Sequence, residues 1–149
     1  MTSPTTTTAP PLTETAASLR LAVGRLSRRM RQESTLGHSL TQIGIMVTLE
    51  RQGPTTFGDL AQAERVAPPT ITKAVATLIG EGLVEKIADP DDRRVHRAQL
   101  TPTGRAALES IRRQREAWLT TRLATLTPEE ADQLVAVLPL LEALTTDEA

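Results

Sequence analysis

The residues with the most chemistry to offer lie at positions 88–104, ADPDDRRVHRAQLTPTG. Asp89, Asp91 and Asp92 run directly into Arg93, Arg94 and Arg97. Carboxylates and guanidiniums this close form charge-assisted, often bidentate, hydrogen bonds, and a guanidinium so held presents its charge in a fixed direction. That chemistry suits the binding of a polyanion. The bland alternative is a solvated turn whose ion pairs contribute under about 1 kcal/mol.

A second candidate is the segment TITKAVATLIG at 70–80. On a helical wheel Ile71, Val75, Leu78 and Ile79 gather on one arc and predict a core face. The other arc holds Thr70, Thr72, Lys73, Ala76 and Thr77, all small except the lysine. A small-residue face lets a helix sit deep in the major groove of DNA, where threonine can donate, accept or touch a thymine methyl. Lys73 can reach a guanine edge or a phosphate. Otherwise this is an ordinary solvent-facing helix.

The elements around these residues supply a frame. The stretch from Leu12 to about Thr35 carries Leu12, Ala16, Leu19, Val23, Leu26 and Met30 at alternating spacings of four and three, an a/d-like stripe. A helix follows from Thr41, its expected N-cap, to Gly53-Pro54. A short helix, capped by Thr55 or Thr56, precedes the helix at 70–80, which Pro68 or Pro69 opens. LVEKI and VHRAQL read as two strands, with His96, Ala98 and Leu100 on one face, so the charged run is a hairpin tip. His96 is then expected to pack. Thr101-Pro102 starts a long helix to about Leu126. Thr127 and Glu130 form a capping box for the last helix, which Pro139 should kink.

This order predicts a mainly α fold with a small β-hairpin wing: a winged helix-turn-helix flanked by amphipathic helices. In that setting a wing arginine enters the minor groove and reads its width. Asp92 and Arg94 have the spacing for an orienting pair, which leaves Arg93 and Arg97 for phosphates.

Composition sets the bounds. The chain has 149 residues, room for one domain with a real core. It has no cysteine, which excludes disulfides, thiol redox sensing and thiolate metal sites. Phe57 and Trp118 are the only large aromatics, so stacking platforms for single strands are missing. Net charge is −1, so any DNA binding depends on local patches. Five arginines crowd residues 20–31 without an acid, and six acids follow Thr127 without a base. MTSPTTTTAPP reads as a disordered tail and not as a secretory signal. No apolar run is long enough for a membrane span, and a cytoplasmic location is expected. Nothing assembles into a catalytic site, a cofactor site or a metal site; two histidines, His38 and His96, are too few ligands.

The chain resembles the MarR family of bacterial transcription regulators. Leu40-Thr41, then Thr70, Thr72 and Lys73, then Leu78-Ile79-Gly80-Glu81-Gly82-Leu83-Val84 carry the resemblance. Asp89-Pro90-Asp91-Asp92-Arg93-Arg94 and Leu100-Thr101-Pro102-Thr103-Gly104 complete it. The resemblance implies one domain in four parts: a tail at 1–11, an N-terminal dimerisation helix at 12–36, a DNA-binding lobe at 37–101 and C-terminal dimerisation helices at 102–149. It implies a homodimer on pseudo-palindromic promoter DNA, most often a repressor, released by a small, often phenolic or aromatic, ligand. Arg94 matches the family's minor-groove arginine.

Expected DNA contacts are thus Thr70, Thr72, Lys73, Thr77, Asp92, Arg93, Arg94 and Arg97. Leu12, Leu19, Val23, Leu134, Leu138 and Leu141 are the expected dimer seam. Leu26, Met30, His38, Ile45, Met46 and Trp118 are candidates for a ligand pocket, each also readable as plain core. Two rival readings stay open: a protein-interaction module on a winged-helix scaffold without DNA binding, and a ligand-binding carrier.

Overall fold

The structure is a computed structural model that describes residues 10–146. Most of the expected tail and the acids Asp147 and Glu148 lie outside the described residues. Helix α1 (Leu12–Glu33) ends three residues before the expected boundary at 36. Leu36 and Gly37 both adopt positive φ, 50° and 79°, and turn the chain back.

Helix α2 (Leu40–Gln52) is capped by Ser39 and not by Thr41. Ser39 Oγ accepts from the Gln42 N–H at 3.1 Å, and Gln42 Oε1 accepts from the Ser39 N–H at 2.9 Å. The reciprocal box needs a Gln or Glu three residues on, which Ser39 has and Thr41 lacks. A two-residue strand β1 (Thr55–Thr56) follows, too short to show a period. Thr56 caps α3 (Phe57–Glu64), accepting from the Asp59 N–H at 3.2 Å. Pro68 opens α4 (Pro68–Gly80), where its missing N–H costs nothing.

Gly82, at φ 74°, ends α4 in a Schellman motif. The Gly82 N–H donates to the Ile79 carbonyl and the Leu83 N–H to the Leu78 carbonyl, both at 3.0 Å. This turn aims β2 (Val84–Ala88) away from α4. β2 pairs antiparallel with β3 (His96–Leu100), Val84 opposite Leu100 and Ala88 opposite His96. β1 lies on the other edge of β3, giving the order β1-β3-β2. α5 (Pro102–Leu123) starts from a Thr101 cap. α6 (Pro128–Ala143) starts from the Thr127/Glu130 box and continues as one helix through Pro139.

The core joins Ile43, Ile45, Met46 and Leu49 of α2 to Leu60, Ile71, Val75, Leu78, Val84, Leu100, Leu108 and Ile111. Helix α2 is central and packs on α3, α4, α5 and β3, so several of its faces are apolar. Each buried aliphatic contributes about 1.5–3 kcal/mol. By contrast, α1 and α6 have no buried residue.

Buried Gly104 fixes how α5 meets the wing. A Cβ there would run into the Leu83 carbonyl oxygen and the Leu100 side chain. That carbonyl is held by the Thr101 N–H at 3.1 Å and cannot easily withdraw. Gly104→Ala should therefore cost about 1–3 kcal/mol of stability. An unchanged urea midpoint would show that the junction gives way freely.

Candidate nucleic-acid interface

Helix α4 buries Ile71, Ala74, Val75 and Leu78 and exposes Thr70, Thr72, Lys73, Ala76 and Thr77. Ile79, expected in the core, is 37% exposed, and Ala74 fills the inward face instead. The Thr72 and Thr77 hydroxyls donate to the Pro68 and Lys73 carbonyls at 3.2 and 3.1 Å. Their protons are used within the helix, which leaves oxygen lone pairs and methyls to face a ligand. Lys73 makes no ion pair among the described residues. A cleft of about 210 Å³ beside it is walled by Ser39, Thr41, Gln42, Thr70, Lys73, Ala74 and Thr77. Periodicity gave no sign that the start of α2 would share this surface.

At the wing tip Asp92 Oδ1 accepts from the Arg94 backbone N–H at 3.0 Å and from Nε at 3.2 Å. Asp92 Oδ2 lies 3.5 Å from a terminal Arg94 nitrogen. The Arg94 side chain is nonetheless 91% exposed. It is a fixed cation standing in solvent. Arg93 is also exposed. Arg97 is not available in the way expected. Its Nε donates to Asp89 Oδ2 at 2.5 Å and a terminal nitrogen donates to the Pro54 carbonyl at 3.3 Å. This pairing, and not a phosphate, is what the geometry gives Arg97; it ties β3 to the segment before β1.

Buried Asp89 is the hub that sequence reasoning passed over. Its Oδ1 accepts from the Asp91 and Asp92 N–H groups at 2.8 and 3.2 Å, an Asx-turn. The Asp-Pro-Asp-Asp run carried that signal. The Arg97 hydrogen bond, helped by the Asp91 N–H, holds the Asp89 carboxyl below its ordinary value of 3.8. A lowered folded-state pKa means this contribution is complete above pH 3.8 and is lost as pH falls through the lower folded value. Amide exchange at Asp91 and Asp92 should stay slow at pH 5 and quicken only below about pH 4. Fast exchange already at pH 5 would show that Asp89 does not hold the turn.

The sequence profile of the MarR family matches residues 39–96. An uncharacterized HTH-type transcriptional regulator of Mycobacterium bovis, Mb0904, is 38% identical over 130 residues, 87% of this chain and 91% of that relative. The chain belongs to the MarR family. The fold agrees with a MarR family protein from Bacillus stearothermophilus: TM-score 0.68, 25% identity, 91% of this chain and 96% of that one. A Staphylococcus aureus MepR mutant, solved bound to an oligodeoxyribonucleotide, aligns with TM-score 0.67 at 22% identity over 87% of this chain and 97% of that one. The chain is accordingly a transcriptional regulator with a DNA-binding fold, and not an enzyme.

In this MarR protein the expected ligand residues are scattered. Ile45 and Met46 have no exposed surface, since α2 is enclosed on several sides. Leu26 is 44% exposed. Met30 and Trp118 are half-buried. The Arg29 and Arg122 guanidiniums both lie over the Trp118 ring, 5.9 and 5.4 Å from its centroid. His38 Nδ1 is 3.4 Å from Glu81 Oε2, linking the α1–α2 turn to the end of α4. His96 is exposed where a packed histidine was expected, because its strand face turns inward only from Ala98 onward. The expected seam residues Leu12, Val23, Leu134 and Leu138 are exposed, while Leu19 and Leu141 are half-buried. Among the described residues no helix is long and apolar enough to cross a membrane.

Proposed function

We propose that two copies of the chain join through α1 and α6 and bind pseudo-palindromic promoter DNA as a cytoplasmic repressor, released by a small ligand. The observation that carries the DNA reading is the exposed small-residue face of α4 together with an Arg94 that Asp92 holds upright in solvent. The first supplies a surface that fits a major groove; the second supplies a pre-oriented cation for the neighbouring minor groove. The oligonucleotide complex of MepR supports the same use of the fold. Homodimerisation is supported by two helices that carry no fully buried residue within one chain. A two-fold dimer places its recognition helices on half-sites about one helical turn, roughly 34–36 Å, apart.

Gel shift on DNA upstream of the protein's own gene, at two salt concentrations, tests this. Binding should be present at low salt and fall steeply as salt rises. Lys73→Ala should reduce the slope of log affinity against log salt by about one per lost phosphate contact. No binding at low salt would favour the interaction-module reading, to which the net charge of −1 already lends some support.

A further inference from the structure

We propose that the exposed face of α4 reads thymine C5-methyl groups by apolar contact, so that each half-site carries thymines where this face meets the major groove. The proposal deepens the DNA reading above and rests on it. Pro69, Lys73, Ala76 and Gly80 follow one another at steps of four, three and four and run down the middle of the face. Thr72 and Thr77 flank them, and all six are exposed. The six include no Arg, Asn, Gln, Asp or Glu, side chains that pair most selectively with base edges.

The donors that such a face would otherwise offer are already committed. The Thr72 hydroxyl donates to the Pro68 carbonyl at 3.2 Å and the Thr77 hydroxyl to the Lys73 carbonyl at 3.1 Å. A threonine bonded back to its own helix can still accept, and its methyl is left for apolar contact. The backbone adds no donor either. Pro68 and Pro69 have no N–H, and the Thr70 and Ile71 N–H groups both donate to the Ala67 carbonyl, at 2.9 and 3.4 Å. The first turn of α4 thus lacks the free N–H groups with which a helix start ordinarily meets a phosphate. What remains is the Thr70 hydroxyl and the Lys73 ammonium.

A surface poor in donors and rich in methyls is a poor match for guanine, which shows the major groove two acceptors. It suits an A·T pair, in which thymine shows a methyl and adenine N6 donates to a threonine oxygen. Removing one contacted methyl from the DNA should cost about fourfold in affinity.

Duplexes selected from a random pool by the full chain at low salt test this, with binding read by fluorescence anisotropy. Deoxyuridine in place of a single thymine removes only the methyl and leaves base pairing and the minor-groove edge as they were. It should weaken binding about threefold to fivefold at roughly two thymines in each half-site. 7-Deazaguanine in place of guanine removes the N7 acceptor and should matter at one position per half-site at most, the one under Lys73. Thr72→Ser and Thr77→Ser keep the hydroxyl and delete the methyl. Each should abolish the uracil penalty at one thymine and leave it at the others, a pattern that a loss of stability would not produce. Thr72→Val, with the methyl and without the hydroxyl, should keep that penalty. The proposal is overturned if no deoxyuridine weakens binding, if the serine variants leave every penalty unchanged, or if 7-deazaguanine weakens binding at several positions. Failure to select any duplex at low salt sinks the DNA reading itself, whereas a selected duplex indifferent to uracil sinks only the thymine assignment.

Discussion

Replacing Arg94 with alanine should weaken operator binding about tenfold to a hundredfold per half-site, and by roughly the square of that for a dimer on two half-sites. The size of the effect follows from how the side chain is held. A free arginine loses much rotamer freedom when it enters a groove; this one already donates to Asp92 from Nε and from a terminal nitrogen. Its charge therefore meets the negative potential of a narrow minor groove with little left to order. Asp92→Ala keeps the charge and removes the support, so it should cost less, about threefold to tenfold. Arg94→Lys keeps the charge and loses the fork, and should fall between wild type and alanine. None of these changes touches the core, since Arg94 is 91% exposed, and thermal stability should stay within about 0.5 kcal/mol. Fluorescence anisotropy with labelled operator decides: undiminished affinity of Arg94→Ala would remove the wing from the interface.

What the sequence made legible was local. The two faces of α4, the Thr101 cap, the Thr127/Glu130 box and the Asp92–Arg94 spacing all lie within a few residues, and each follows from a short-range rule. What it hid depends on contacts between distant segments. Strand β1 exists because Thr55 and Thr56 meet Ala98 and Arg97, some forty residues on. Arg97 looked like one more exposed arginine until Pro54 and Asp89 were placed beside it. Ile45 and Met46 are core, the second of the two readings the sequence left open, and it could not choose because a helix packed on several sides has no single apolar stripe to read.

The second large effect concerns α1. Changing both Leu19 and Val23 to aspartate should convert the protein to a monomer while the winged-helix core stays folded. These two residues line an apolar groove of about 600 Å³ between α1 and the end of α6, with Leu141 and Leu144 opposite. Val23 is 50% exposed and Leu144 73% exposed in a single chain, so the groove has no sufficient cover of its own. Neither Leu19 nor Val23 belongs to the core cluster, which explains why the lobe should survive. In a dimer that closes the groove, two buried carboxylates would each cost several kcal/mol after relaxation, more than a seam of this kind can lose. Arg20 and Arg31 at the rim can offset part of the cost, but pairing with them draws the aspartates out to solvent and leaves the groove unfilled. Operator affinity should fall with the dimer, because one half-site no longer holds the second copy close to the other. Sedimentation and operator binding are to be measured together. A dimer of unchanged strength would place the seam elsewhere, whereas a monomer that still bound the full operator as tightly as wild type would mean that the two recognition helices never acted as a pair.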